Sequence, residues 1–191
     1  MSQQLWILVG GNGSGKSTFY NTFLRKYGLS FINADLIAKD LGEDPNPELS
    51  KRAQEIARQS CLQKLQDRET FCFETVFSHQ SKVDLILKAK NLGYEINLVY
   101  FHLSSTNLNI ARVVQRVSGG GHNVPHDKVE SRVPRTIQNV KKVIGIVDQA
   151  KLVDNSSAQD PFKTVATVQN RKVIQNINPL PDWAAEILAN L

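Results

Sequence analysis

Cysteine is scarce in this 191-residue chain. Cys61 and Cys72 are its only two, and both fall in apolar-patterned segments. That argues against a disulfide scaffold and against a cysteine-based zinc site. Histidine is sparse too, and His79, His102 and His126 show no metal-ligand spacing with acidic partners. No apolar run approaches the roughly 20 residues of a membrane span. Residues 1–4 lack the basic start of a signal peptide, and the apolar run at 5–9 is too short for its core. The expectation is a cytoplasmic protein with no membrane partner. Repeats and low-complexity tracts are also missing.

An acidic surplus is absent as well. Lys and Arg number 23 against 18 Asp and Glu, giving a net charge of +5. The excess is local. Between Arg112 and Lys142 there are seven basic residues, opposed only by Asp127 and Glu130. The rest of the chain is neutral. One basic stretch on a neutral body points to a local anion site. Aromatic residues do not interleave with it, which places nucleic-acid binding last among the readings.

What is present is an alternation of strand and helix patterns. Residues 5–9 (LWILV) read as a buried parallel strand. A glycine-rich loop follows at 10–15, then a helix over 16–26. Further strands are expected at 31–34, 70–73, 95–103 and 152–153. Helices are expected at 48–68, 82–92, 106–117 and 127–133, with another from Pro134 to Ala150. Residues 162–177 suggest a hairpin, and 179–191 a terminal helix. Of eight phenylalanines, Phe19, Phe23, Phe71, Phe73 and Phe101 recur as core residues do. The pattern predicts a three-layer α/β/α fold with a mainly parallel five-stranded sheet. The expected division is a catalytic domain over 1–157, with a basic lid at about 117–135, and a small C-terminal extension over 158–191. Ligands of such sheets gather at the carboxyl ends of the strands.

Residues 10–17 read GGNGSGKS, which matches G-x-x-x-x-G-K-[ST] between a strand and a helix. Glycines let backbone N–H groups turn inward onto phosphate oxygens, and the helix N-terminus aims its dipole at the same anion. Candidate nucleotide-binding residues are Gly10, Asn12, Gly13, Ser14, Gly15, Lys16, Ser17 and Thr18. Lys16 supplies an ammonium to the terminal phosphates, and the Ser17 hydroxyl suits Mg²⁺. A GTPase would need N-K-x-D, which is missing. The run VSGGG at 117–121 superficially resembles an ABC-transporter signature, but no apolar strand ending in Asp-Glu follows. Gly119–Gly121 read instead as hinges of the lid, with His122 a loop histidine.

A kinase built on this loop needs a base, an acceptor site and cations over the transferring phosphoryl group. Asp35, after the second strand, is the candidate base; the plainer alternative is a helix N-cap. Glu74 ends the third strand, where it could hold Mg²⁺ through water or bind the acceptor, with Thr75 beside it. Arg116, Arg132 and Arg135 are the candidate phosphate-binding arginines; a solvated basic helix face is their plainer alternative. Arg132 and Arg135 share a face only if Pro134 leaves the helix continuous. Arg112 reads as surface.

Several stretches together resemble the zeta-toxin family of P-loop kinases, most closely its compact stand-alone bacterial branch. They are GGNGSGKSTF (10–19), FINADLIAK (31–39), FETVFS (73–78), GYEINLVYFHLSS (93–105), RVVQRVSGGGHNVP (112–125), RVPRTIQN (132–139) and VDNS (153–156). They occur in the family's order across about residues 5–157. The resemblance implies that Lys16 binds ATP, Asp35 acts as base and Glu74 lies in the acceptor region. It also implies that Arg116, with one or both of Arg132 and Arg135, contacts phosphates. The long-chain toxins phosphorylate the sugar of UDP-N-acetylglucosamine and are blocked by a small antitoxin. This chain is much shorter, and its residues 162–191 have no counterpart there. The functional expectation is an ATP- and Mg²⁺-dependent small-molecule kinase, with a UDP-sugar as candidate acceptor and an antitoxin as candidate partner. A nucleotide-binding ATPase or regulatory module without an acceptor is the rival.

Overall fold

Alternation along the first strand sets the architecture. In β1 (Gln4–Gly10), Leu5, Ile7 and Val9 enter one core and Leu8 a second on the opposite face. A strand buried on both faces must lie inside the sheet, and β1 does. The computed structural model describes residues 2–42, 46–118, 124–189 and 191. Gly119–Gly121 and His122 lie outside them.

The other strands are β2 (Ser30–Asn33), β3 (Phe71–Thr75), β4 (Glu95–His102), β5 (Gln149–Asp154), β6 (Lys163–Gln169) and β7 (Lys172–Gln175). They form one sheet in the order β2-β3-β1-β4-β5-β6-β7. The first five are parallel, and β6 and β7 add on antiparallel. The expected five-stranded sheet is therefore seven-stranded. The predicted hairpin exists, but its alternation could not reveal that it would pair with β5. Residues beyond 157 are consequently built into the same sheet.

On one face lies α1 (Lys16–Phe19), continued by a π-helical turn over Tyr20–Leu24 and a 3₁₀ turn over Arg25–Tyr27. Tyr20 and Leu24 pack there on Leu8, Cys72, Val99, Phe101 and Val153. Phe23, expected in the core, stays 42% exposed at the rim. The opposite face is covered by α3 (Pro47–Gln66), α4 (Gln80–Asn91), α6 (His126–Val143) and α7 (Asp182–Leu188). Cys61, Ile86, Val140 and Ile187 carry these helices into the larger core. Two further helices, α2 (Ala34–Leu41) and α5 (Thr106–Ser118), lead away from strand ends.

The two helices expected at 127–133 and from Pro134 are one helix. Pro134 lies inside α6, where it removes the N–H that would bond the carbonyl of Glu130. Burial overrides that cost, because Val129, Thr136, Val140 and Val143 recur on one buried face. Thr136 and Asn139 also donate to the carbonyls of Val76 and Phe77 at 2.8 and 2.9 Å, pinning α6 to the turn after β3. Val113, Val124 and Val129 form a small separate core between α5 and α6. Among the described residues no helix is long and apolar enough to cross a membrane.

Candidate active site

The parallel strands point their carboxyl ends at one cleft of about 880 Å³. Its floor is the loop between β1 and α1. Gly13 and Gly15 take left-handed backbone angles, φ 76° and 95°. A Cβ at Gly13 would come within 2.8 Å of the Asn109 carbonyl, and one at Gly15 would collide with the Asn155 amide. Both positions therefore require glycine.

Two buried asparagines clamp the loop from outside. Asn109 of α5 donates through Nδ2 to the Asn12 carbonyl at 2.6 Å, and Asn155 donates to the Ser14 carbonyl at 2.9 Å. With those carbonyls turned outward, loop N–H groups are left for an anion. Asn155 also accepts at Oδ1 from the Phe162 N–H at 3.0 Å. The Phe162 ring packs on Phe19 and Phe101, with centroids 5.6 and 6.1 Å away. Neither asparagine is singled out by sequence. The available signal for Asn155 was its place directly after β5, at the ligand end of the sheet.

Lys16, only 6% exposed, donates through Nζ to the carbonyls of Gly10 and Gly11, each at 2.9 Å. It lies 3.9 Å from Glu74 Oε1. Glu74 Oε2 accepts from Ser17 Oγ at 2.7 Å and from Asn33 Nδ2 at 2.9 Å. Burial draws the lysine pKa down, partly offset by the charges of Glu74 and Asp35. Burial pushes the Glu74 carboxyl up, opposed by Lys16 and by the Ser17 and Asn33 hydrogen bonds.

Asp35 does not cap its helix. Asn33 does: its Oδ1 accepts from the N–H groups of Asp35 and Leu36 at 2.7 and 3.3 Å. The Asp35 carboxylate is thereby left in the cleft, where Arg116 Nη1 approaches Oδ2 at 3.4 Å. Arg132 enters from α6, with Nη1 3.4 Å from Asn12 Oδ1, and burial lowers its pKa. Arg112, read as surface, lines the same cleft.

Arg135 does not. Its Nε and Nη2 turn back onto the carbonyl and hydroxyl of Ser131 at 2.8 and 3.1 Å, and it lines a separate shallow groove. One step of three residues on a continuous helix rotates it away from Arg132 far enough to leave the cleft. Thr75 reaches the cleft wall, but its hydroxyl accepts from the Phe77 N–H at 3.1 Å and so shapes the turn, where Phe77 has φ 66°. Thr18 lines the cleft beside Ser17. No group of three or more His, Cys, Asp or Glu among the described residues could hold a metal ion. Ser17 and Glu74 instead offer one hydroxyl and one carboxylate beside the phosphate loop. That donor set fits Mg²⁺, which completes its shell with phosphate oxygens and water.

A parallel sheet with this loop at the end of its central strand, and cations closing over it from two helices, defines a P-loop kinase-like α/β domain. A family model described as an AAA domain (AAA_33) matches residues 5–141, and the chain belongs to that family. An uncharacterised protein of Haemophilus influenzae is 26% identical over 141 residues, covering 68% of this chain and 97% of that protein. The fold resembles that of the AvrRxo1-ORF1:-ORF2 complex crystallised with ATP, at TM-score 0.73 and 16% identity, over 92% of this chain. This chain spans only 61% of that larger one. It also resembles the PezAT toxin-antitoxin system of Streptococcus pneumoniae at TM-score 0.60 and 15% identity, covering 81% of this chain and 68% of that one. A gluconokinase from Sinorhizobium meliloti matches at TM-score 0.53 and 18% identity, covering 98% of this chain and 90% of that one.

Proposed function

We propose that this protein is a cytoplasmic ATP-dependent phosphotransferase that moves the γ-phosphate of ATP to a hydroxyl of a small molecule. The observation that carries this reading is the pairing of Arg116 with Asp35 in the cleft that also holds Lys16. A hydrolase needs no carboxylate there to receive an alcohol's proton, whereas a kinase does.

In this reading the acceptor hydroxyl lies between Asp35 and the γ-phosphate. Asp35 accepts its proton, the freed oxygen bonds to the γ-phosphorus, and the bond to the β–γ bridging oxygen breaks. ADP leaves with that electron pair. Lys16, Arg116 and Arg132 spread positive charge over the phosphoryl oxygens as the charge redistributes. The loop N–H groups fix the triphosphate in line. Ser17 would hold Mg²⁺ directly and Glu74 through water. The ion, when bound, neutralises phosphate oxygens.

The zeta-toxin resemblance supports a UDP-sugar, such as UDP-N-acetylglucosamine, as the acceptor to try first. That resemblance and the PezAT likeness also support a small inhibitory protein partner of the antitoxin kind. The test is to incubate the protein with ATP and Mg²⁺ against sugar nucleotides, sugar acids and nucleosides. Mass spectrometry should find one acceptor gaining a phosphate in step with ADP. ADP release that no acceptor accelerates would count against the kinase.

A further inference from the structure

The cleft holds more positive charge than a triphosphate uses. Lys16, Arg112, Arg116 and Arg132 surround the phosphate loop. On the wall made by α3 and the start of α4 stand two more cations, Lys51 and Lys82.

Lys82 sits badly for a structural residue. It is the third residue of α4, where the positive end of the helix dipole disfavours a cation. It is partly buried, and burial pulls its pKa down. Its ammonium lies 5.3 Å from the centroid of the Phe73 ring, beside the strand that carries Glu74. Among the described residues no carboxylate pairs with it. Glu55, whose charge acts on it, is held by Arg58 at 2.8 and 2.9 Å and by Gln59 at 3.0 Å. The ring contact and the attraction of a carboxylate already bound to Arg58 recover little of what desolvating an ammonium costs. Lys51, one helix over, is exposed on the same wall and likewise lacks an ion pair among the described residues.

We infer that Lys82, assisted by Lys51, holds an anionic group of the acceptor, so that the acceptor is a hydroxyl compound bearing a phosphate or carboxylate away from the reacting hydroxyl. This rests on the kinase reading for the identity of the bound molecule, but the anion site itself does not. An anion on Lys82 supplies a counter-charge to a group that no carboxylate among the described residues pairs with, and fixes one end of the acceptor. The other end is then left at Asp35, and neutral alcohols or water gain no such anchorage. Ser78 and His79 line the same cleft, and His79 is already committed through Nδ1 to the Ser81 N–H.

Two measurements test it. The first uses no acceptor. Protein saturated with a non-hydrolysable ATP analogue is titrated with inorganic phosphate while the Lys82 side-chain NMR signal is followed. The Lys82 signal should shift saturably, and Lys82→Gln should weaken phosphate binding about tenfold or more. Absence of a shift, or equal affinity in the variant, overturns the anion site whatever the enzyme does. The second compares neutral hydroxyl compounds, sugar phosphates with nucleotide sugars, and hydroxy acids as acceptors. Turnover should favour one of the two anionic groups, and which one identifies the anion. Lys82→Gln should raise KM for that acceptor about tenfold while KM for ATP moves less than about twofold. Preferred turnover of neutral acceptors, or equal changes in both KM values, overturns the assignment. Failure of all phosphorylation alongside an intact Lys82 shift rejects the kinase reading and leaves the anion site standing.

Discussion

Asn155 and Ser14 are 141 residues apart in sequence, yet the Asn155 amide donates to the Ser14 carbonyl at 2.9 Å inside the phosphate loop. Through its other end the same amide holds the backbone of Phe162. Asn155→Ala would leave one buried carbonyl and one N–H unpaired, at about 1–3 kcal/mol each if no water replaces the amide. The expected result is a KM for ATP raised at least tenfold and a lower melting temperature. Asn155→Asp should restore only the contact to Phe162, since a carboxylate cannot donate to Ser14. Its melting temperature should lie between those of wild type and alanine, with ATP affinity still weak. Steady-state kinetics and thermal denaturation check both.

Asp35 offers the sharpest chemical test. Asn33, not Asp35, caps α2, so Asp35→Asn removes a base without removing a cap. ATP affinity should stay within about threefold, while phosphoryl transfer falls roughly 10²–10⁴-fold, the range typical of a lost general base. Single-turnover transfer read beside nucleotide binding separates the two effects.

The two arginines of α6 should differ. Arg132 reaches the phosphate loop, and Arg135 is folded back on Ser131. Arg132→Ala is expected to lower kcat/KM for ATP about 10²-fold or more, as loss of a preorganised donor does. Arg135→Ala should cost far less, and equal losses would place Arg135 back over the phosphates.

His102 gives a pH prediction. Its ring stacks on Trp183, with centroids 4.3 Å apart, and burial lowers its pKa to about 4, against the partly opposing charge of Asp154. In the unfolded chain a histidine protonates near pH 6.5. Between about pH 6.5 and pH 4 the unfolded state therefore binds more protons, and stability falls as the pH falls. Below about pH 4 this contribution is constant. His102→Phe keeps a ring beside Trp183 and should flatten that part of the melting-temperature profile. An unchanged slope would remove His102 as its source.

The phosphate loop was legible because its signal is local: one strand, one glycine pattern and one helix start, contiguous in the chain. Asp35 and Glu74 were legible for a related reason, since both lie at the carboxyl ends of strands that must meet. The capping role of Asn33 was readable in principle, asparagine being a favoured cap two residues before the acid. Arg135 stands off the cleft, a placement that charge and spacing do not fix. A break at Pro134 was the expected reason for Arg132 and Arg135 to part, yet α6 runs continuously through it and they part all the same. Asn109 and Lys82 were not legible, and Asn155 was marked only by its place after β5. An asparagine clamp and an uncompensated lysine are defined by what packs against them, and those partners lie far away in sequence. The hairpin pattern was visible, but edge pairing is a choice among free strand edges, and nothing local marks which one is taken.

The central position of β1 has a consequence for motion. It is flanked on both sides, by β3 and β4, and its Leu5, Ile7 and Leu8 are fully buried. Amide protons of such a strand are expected to exchange only when the whole domain opens, whereas α5 and the first turns of α6 rest on a small separate valine cluster and are expected to open at lower free energy. The loop that grips phosphate is thus rooted in the slowest-exchanging part of the molecule, and two of the arginines that close over it ride on a faster part. Nucleotide binding joins the two, and its strength is read as the gap in exchange protection that it closes.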